Sequence, residues 1–570
     1  MMRRVWLLIP LLLFLIYRVH RQLLAVVLRL PLPRCRVQVE SGLRVPMQDG
    51  VTLAADHYAP LTHETVPTIL IRSPYGRRQS AGFFGLVMAL TARIFAERGY
   101  HVLVQDTRGR FDSQGEFNPY FAEIDDGRAT LDWILAQPWS NGVIGTWGPS
   151  YLGIVQWVVA SESPAVKALV PMVTSSDLYE ILFPDGAFAL SLAMRWLTIF
   201  RALDKYQHRP LVASLKMMSD VESECSPAFH ALPLATADQA ALKESVPYFR
   251  QWMEHTNRDS LWDEAQRHVR IADVSAPVHL IAGWYDFFLR SGLQDYQSLK
   301  AAGRQPYLTI GPWHHFVGMN SLVALRESAI WYDAQLKGDY SGLNRQPVRL
   351  YVMGANEWRG MPDFPPPSTE TRYFLDTRRL STEMPPPDSA PDHYRYDPAE
   401  PTPALGGAQF GLMAGAKDNW PLEARPDVLI YTTRPFDRAL EIIGYVRLEL
   451  FVKSSLEHTD FLGRLCDVHP DGRSINICDG LFRVEPGKGE RLSDGTLRIC
   501  VDMWATAHRF RKGHAMRLLV ASGAHPLWSR NTGSGEPLAT ATRLIAAEQT
   551  VYHDASHPSA LIVPVTRVMN

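Results

Sequence analysis

Residues 141–162 read NGVIGTWGPSYLGIVQWVVASE: an Asn-Gly turn, an apolar run with strand character, the junction Gly-Pro-Ser-Tyr-Leu-Gly, then an apolar-rich helical pattern. On a tight turn between strand and helix, a side chain points up out of the sheet and the neighbouring N–H groups have no partner inside the helix. That is a position for a nucleophile. Gly148, Ser150 and Gly153 spell Gly-x-Ser-x-x-Gly, and Leu152 stands where the plain G-x-S-x-G elbow carries its second glycine. Serine is also a favoured N-cap at any strand-to-helix junction, so the short motif leaves both readings open.

Upstream of this stretch, TLAADHYAP, PTILIRSPY and HVLVQDTRG read as strands, with FFGLVMALTARIFAERG and DDGRATLDWILAQP as helices between strands. Such alternation predicts a mostly parallel sheet covered on both faces, the α/β class. From about residue 178 to 268 helical periodicity takes over. The alternation then resumes with APVHLIAGWYD, LRSGLQDYQSLKAAG, QPYLTIGPWHH and LVALRESAIWYDAQLKG. One α/β domain is interrupted by a helical insert and then completed. Beyond the Pro-rich MPPPDSAPDHYRYDPAEPTPALGG, short turn-separated runs such as IIGYVRLELFVKSS and LRICVDMWATA predict an all-β sandwich or jelly roll. The expected divisions are residues 1–35, an N-terminal segment; 36–177 and 269–345, the two parts of the α/β domain; 178–268, the helical cap; and 346–570, a linker and the C-terminal β domain.

Composition narrows the function. The 58 Lys+Arg balance 59 Asp+Glu, so no global field attracts nucleic acid, and nucleic-acid binding is not expected. Five cysteines (Cys35, Cys225, Cys466, Cys478, Cys500) show neither a C-x-x-C pair nor a Cys/His ligand spacing, which argues against a zinc site and against a disulfide scaffold. Cys466 and Cys478 are read as separate buried thiols.

The first 35 residues differ from the rest. Arg3 and Arg4 precede an uncharged apolar run over residues 5–17, matching the basic and hydrophobic regions of an export signal, and no small-x-small cleavage site follows. The run is shorter than the roughly 20 residues of a spanning helix unless flanking basic residues snorkel or the helix continues to residue 30. The expectation is an uncleaved signal anchor or interfacial helix that associates residues 1–35 with a membrane, a buried N-terminal helix and a cytoplasmic protein being the alternative. Arginines flank both ends, so orientation stays open.

A serine that attacks an acyl carbon needs a base and an acid to orient it, and in α/β-hydrolases these follow in the order Ser, Asp or Glu, His. Asp286 closes the strand-like VHLIAGWYD, where it also suits a helix N-cap. His314 and His315 follow the strand-like LTIGPW. All fall at one edge of the predicted sheet in the required order, where ligands bind in open α/β folds.

These motifs, with IRSPYG, VQDTRGRFDSQGEF, EIDDGRATLDWILAQPWSNG and RLCDVHPDGRSINICDGLFR, resemble the serine hydrolase family that includes cocaine esterase, glutaryl cephalosporin acylases, α-amino acid ester hydrolases and bacterial X-Pro dipeptidyl-peptidases. The likeness runs from about residue 40 onward. It implies an α/β-hydrolase domain with an inserted helical cap and a C-terminal jelly roll. It also implies Ser150 as nucleophile, Asp286 as acid, His315 rather than His314 as base, and Tyr75 with the backbone N–H of Tyr151 as oxyanion donors. By the residues alone, Tyr75 is also a plain turn residue after Pro74. The chemistry calls for no cofactor and no metal.

The expected activity is hydrolysis of a small-molecule carboxylic ester or amide through an acyl-enzyme, with X-Pro dipeptidyl-peptidase or α-amino acid ester hydrolase activity as alternatives. Those alternatives need carboxylates to hold a free amino group. The cap offers Asp220, Glu222 and Glu224, whose plainer reading is surface charge, so ester cleavage is preferred. A non-catalytic binding protein on the same scaffold would have lost a triad member, and none is missing. Asp106 and Arg108 are read as an ion pair behind the site in preference to part of the substrate pocket, and Trp147, Trp284 and Trp313 either line a pocket or pack beneath it. A homo-oligomer is left open.

Overall fold

The computed structural model describes residues 21–566 apart from 24, 208, 267, 268 and 412. Ten strands form the first sheet: β1 (Arg36–Pro46), β2 (Thr52–Leu61), β3 (Thr68–Ser73), β4 (His101–Asp106), β5 (Ile144–Pro149), β6 (Val166–Met172), β7 (His279–Tyr285), β8 (Tyr307–His314), β9 (Val348–Val352) and β10 (Glu357–Met361). Their spatial order is β1-β2-β4-β3-β5-β6-β7-β8-β9-β10. The pairs from β4 through β9 are parallel, while β1, β2 and β10 join antiparallel at the edges. Every residue of β3, β4, β5 and β7 is buried. This is why these segments read as near-continuous apolar runs: a parallel sheet is covered on both faces.

Helices α1 (Phe83–Ala96), α2 (Glu123–Leu135) and α3 (Tyr151–Ala160) link the first parallel strands. The sequence between β6 and β7 forms short cap helices around a longer one, α4 (Leu190–Lys205). After β7 comes α5 (Leu289–Ala301), and after β8 comes α6 (Leu322–Lys337), which a Ser321 cap opens and Gly338 at φ +75 closes. The sheet continues past residue 345, where the sequence placed the end of the α/β domain: β9 pairs parallel with β8 and hands over to β10.

The rest of the chain is strand-rich. A twelve-stranded second sheet includes Leu440–Ser454, Thr459–Val468, Ser474–Val484, Leu497–Phe510 and Ala515–Ala521, paired antiparallel. Among the described residues there are three apolar cores, of which the two larger position the site. One runs from under the first sheet (Leu103, Trp157, Leu308) into the β domain (Ile442, Met503, Leu518). The other joins the opposite face (Ile71, Val104, Tyr151) to the cap (Leu197, Phe200, Trp252). The cap is therefore packed onto the face that carries Ser150.

Residues 21–23 and 25–28 are helical, and Leu28 and Leu30 are buried against the second core. Among the described residues no helix is long and apolar enough to cross a membrane. The apolar run over residues 5–17, on which the anchor expectation rests, lies outside the described residues. All five cysteines are free.

Candidate active site

Ser150 sits between β5 and α3 with φ 57 and ψ −126, a conformation that L-residues rarely adopt. Neighbouring groups fix the backbone there. Its N–H donates to the Met172 carbonyl at 2.9 Å, and its own carbonyl accepts from Thr174 Oγ1 at 2.8 Å. The side chain makes no capping bond to α3, so the N-cap reading fails. Oγ instead lies 3.0 Å from His315 Nε2.

The glycine spacing follows from packing. A Cβ on Gly148 would lie 2.3 Å from Leu152 Cβ, and one on Gly153 would lie 2.5 Å from Thr174 Cγ2. Gly153 lets the first turn of α3 approach the segment that clamps the Ser150 carbonyl. Leu152 stands at the elbow's second glycine position and its side chain fills the space that Gly148 leaves open.

His315 follows β8 directly, and its Nδ1 lies 2.8 Å from Asp286 Oδ2. Asp286 follows β7 and is fully buried; its Oδ1 accepts from the Phe288 N–H at 2.7 Å. Asp286 is not the N-cap of the following helix, which is Phe288 with no side-chain cap bond; one carboxylate oxygen closes the short turn before that helix while the other faces the imidazole. Phe287 packs against the His315 ring at 4.3 Å between centroids. No hydrogen bond joins His314 to Ser150, Asp286 or His315, and its Nδ1 is buried without a partner among the described residues. Burial pulls its pKa down to about 4, so its ring is neutral.

Tyr75 lies beside Ser150, and its hydroxyl oxygen accepts from Trp196 Nε1 of α4 at 3.1 Å. Burial pushes the phenol up to about 12 despite those neighbours, so it stays a hydrogen-bond donor at neutral pH. Tyr151 opens α3, where a backbone N–H has no helical acceptor. Its side chain is occupied elsewhere, donating to Glu123 Oε1 at 2.7 Å and accepting from the Tyr120 N–H at 3.1 Å.

A cavity of about 30 Å³ opens above Ser150. Its walls are Tyr75 and Tyr120 from the first domain, Leu192, Trp196 and Trp252 from the cap, and Phe410 from the C-terminal part. A roomier cavity of about 240 Å³ lies between the cap and the β domain, and neither Ser150, Asp286 nor His315 lines it.

Two sequence motifs of known protein families cover the chain. The X-Pro dipeptidyl-peptidase (S15) family matches residues 49–317, and the X-Pro dipeptidyl-peptidase C-terminal non-catalytic domain matches residues 343–562. Cocaine esterase of Rhodococcus sp. (strain MB1 Bresler) is 33% identical over 577 residues, spanning 93% of this chain and 99% of that protein. The chain belongs to the S15 family of serine hydrolases. As an S15 enzyme it hydrolyses carboxylic esters or amides. Solved structures share the fold. An aminopeptidase from a marine sediment archaeon (Thaumarchaeota archaeon) has TM-score 0.79 at 22% identity, covering 94% of this chain and 96% of its own. An α-amino acid ester hydrolase has TM-score 0.77 at 22% identity, covering 93% and 97%.

One secondary expectation changes in this S15 chain, and for two others the structure chooses between the readings left open. Asp106 and Arg108 do not pair: Asp106 binds Arg77, while Arg108 holds Asp126 and Asp49 at 2.6 Å each. Trp147, Trp284 and Trp313 are absent from the cavity wall. Trp147 donates to Ser328 Oγ and Trp284 to the Tyr351 carbonyl, so both are packing residues. Asp220, Glu222 and Glu224 do not line the cavity either; Glu222 is bound by Arg195 and Asp220 by Lys216. The sequence reading missed Trp196, Trp252 and Phe410. Phe287 and Phe288 carried a usable signal, since they directly follow Asp286.

Proposed function

We propose that this hydrolase cleaves esters of neutral, apolar carboxylic acids, with Ser150 as nucleophile, His315 as general base and acid, Asp286 as its orienting carboxylate, and Tyr75 with the Tyr151 N–H as oxyanion donors. Ser150 Oγ attacks the ester carbonyl while its proton passes to His315 Nε2. The tetrahedral oxyanion takes hydrogen bonds from the phenol and the amide, and the alkoxide leaves with the proton from His315. Water then attacks the acyl-enzyme by the same steps in reverse. Asp286 keeps the ring proton on Nδ1, so that Nε2 can accept.

The observation that carries the substrate class is the wall above Ser150: aromatic and aliphatic side chains, with no carboxylate among the described lining residues. A free α-ammonium placed there would lose its hydration without a counter-charge. That disfavours release of X-Pro dipeptides and cleavage of α-amino esters. With room for roughly one water at about 30 Å³ each, the cap side chains must yield for an acyl group to enter.

The test compares kcat/KM on p-nitrophenyl esters of neutral acids with that on X-Pro p-nitroanilides and α-amino esters. Neutral esters should be preferred by at least about 100-fold, the discrimination expected when a buried charge goes unpaired. Preference for the amino-bearing substrates would replace this reading with the peptidase one. Failure of a fluorophosphonate to label Ser150 in folded protein would support a non-catalytic binding role.

The N-terminal segment is proposed to hold the enzyme at a membrane. In support, Leu23, Val26, Val27 and Leu32 are exposed, while Arg21 on the same stretch pairs with Glu97 and pins it to the domain. Deleting residues 1–35 should release the enzyme from membranes without loss of turnover. A truncated protein that still co-sediments with vesicles would refute this address.

A further inference from the structure

In the C-terminal β domain, far along the chain from the serine, one buried carboxylate faces three imidazoles. Asp467 ends the strand Thr459–Val468. His469 begins the following turn, His508 lies in Leu497–Phe510, and His514 lies in the hairpin that leads to Ala515–Ala521. His514 Nδ1 is 2.8 Å from Asp467 Oδ1, while His508 Nε2 is 3.0 Å and His469 Nε2 is 3.7 Å from Oδ2. The ligand atoms of Asp467, His469 and His514 all lie within 4.8 Å of one another.

Asp467 has no lysine or arginine partner among the described residues; every ion-pair contact it makes is to a histidine. Asp467 is buried, and the imidazoles are the polar groups that face its carboxylate. A buried carboxylate facing three imidazoles is a set of oxygen and nitrogen ligands that a divalent cation can use.

We propose that Asp467, His469 and His514 bind one divalent transition-metal ion of the zinc class, with His508 as a positioning residue behind the carboxylate. Metal–ligand bonds of about 2.0–2.1 Å in a tetrahedron put ligand atoms about 3.3 Å apart. His514 Nδ1 sits 2.8 Å from Oδ1 and His469 Nε2 3.7 Å from Oδ2, so the carboxylate turns about its Cβ–Cγ bond to offer one oxygen to an ion held by both rings. Two imidazoles and a carboxylate suit zinc, nickel or copper better than calcium, and three protein ligands leave a position for water. The His508 bond to Asp467 matches the outer hydrogen bonds that orient metal ligands. Arg473 lies 3.4 Å from His469 Nδ1, but Asp471 neutralises it at 2.8 Å. On metal binding at Nε2, His469 Nδ1 carries the ring proton and gives up that marginal contact.

The ligands come from two segments, Asp467 with His469 at one strand end and His514 in a later hairpin, so the only local spacing is Asp-x-His, unlike the Cys/His patterns sought in the sequence. The ion would clip the turn after residue 468 to the hairpin around residue 514. Ester hydrolysis does not involve it, and Ser150→Ala should bind the metal as wild type does.

The test uses the full chain, stripped with chelator and titrated with Zn²⁺ against a chromophoric competitor. The expected result is one equivalent bound, weakened at least about 100-fold in His469→Ala and in His514→Ala and about 10- to 100-fold in His508→Asn. Zn²⁺ should also raise the melting temperature of wild type but not of the two alanine variants. His469 lies on a partly exposed turn, and fluorophosphonate labelling of Ser150 verifies that each variant is folded. Zinc affinity equal in wild type and in both alanine variants, or no stoichiometric uptake, would overturn the proposal and leave Asp467 as a hydrogen-bond acceptor only.

Discussion

Trp196 Nε1 donates to Tyr75 Oη at 3.1 Å, tying a helix of the cap to the phenol beside Ser150. The bond occupies one lone pair of the phenol oxygen and steers its proton toward the serine. Trp196→Phe removes the donor and keeps an aromatic wall. A neutral hydrogen bond contributes about 1 kcal/mol, roughly fivefold in rate, so kcat should fall by about that factor with KM little changed. In a Tyr75→Phe background the same substitution should do nothing more, because the phenol it orients is gone. A full second loss in the double variant would mean that Trp196 acts on substrate directly.

Tyr75→Phe tests the oxyanion assignment. Loss of one such donor costs about 3–4 kcal/mol of transition-state stabilisation, or 10²–10³ in kcat. Labelling of Ser150 by a small activated phosphonate should slow with it, while the melting temperature stays close to wild type. Because burial holds this phenol near 12, its ionisation should not shape the rate profile through neutral pH. Unchanged kcat would reduce Tyr75 to the turn residue that Pro74 alone suggests.

Asp286→Asn keeps the shape of the site but no longer fixes the proton on His315 Nδ1, which lies 2.8 Å from the carboxylate. The expected loss is about 10⁴ in kcat. His314→Gln should leave kcat unchanged, since the neutral His314 ring takes no part in the Ser150–His315–Asp286 line. Equal losses in the two variants would show that the adjacent histidines had been assigned the wrong way round.

Ser150, Asp286 and His315 were legible because each follows a strand, and the ends of parallel strands converge whatever the loops between them do. Trp196 and Phe410 were not. Each lies in a segment whose local pattern, helical in one case and Gly-rich in the other, says nothing of which neighbour it will face across the cap. The same limit explains Asp106 and Arg108: adjacent charges looked like partners, but Arg77, 29 positions from Asp106, reaches its carboxylate first. That the first sheet runs on past residue 345 was illegible for a related reason. β9 and β10 are short strands at an edge, and VRLYV reads the same whether it extends one sheet or opens the next.

The backbone at Ser150 stores strain that substitution can reveal. A residue held at φ 57 and ψ −126 costs about 1–3 kcal/mol, and glycine escapes most of that at an entropic cost of about 0.5–1 kcal/mol. Ser150→Gly and Ser150→Ala should both abolish turnover, yet the glycine variant should be more stable by about 1 kcal/mol in urea unfolding. Equal stabilities would mean that the Met172 and Thr174 hydrogen bonds impose no net strain on the elbow.

Acid should weaken the fold through a histidine pair remote from the serine. His57 Nε2 and His101 Nδ1 are 3.0 Å apart and stack against Trp139, and burial pulls both pKa values down to about 4. In the unfolded chain each titrates near 6.5. As pH falls below about 6.5 the unfolded state therefore takes up protons that the folded state refuses, so stability is complete above that value and declines until pH nears 4. His279, pulled down to about 3 by the same cause, adds to the slope. Urea midpoints at pH 7.5 and pH 5 should thus differ in wild type and differ less in a His57→Asn/His101→Asn double variant. An identical drop in both proteins would assign the acid sensitivity to other groups.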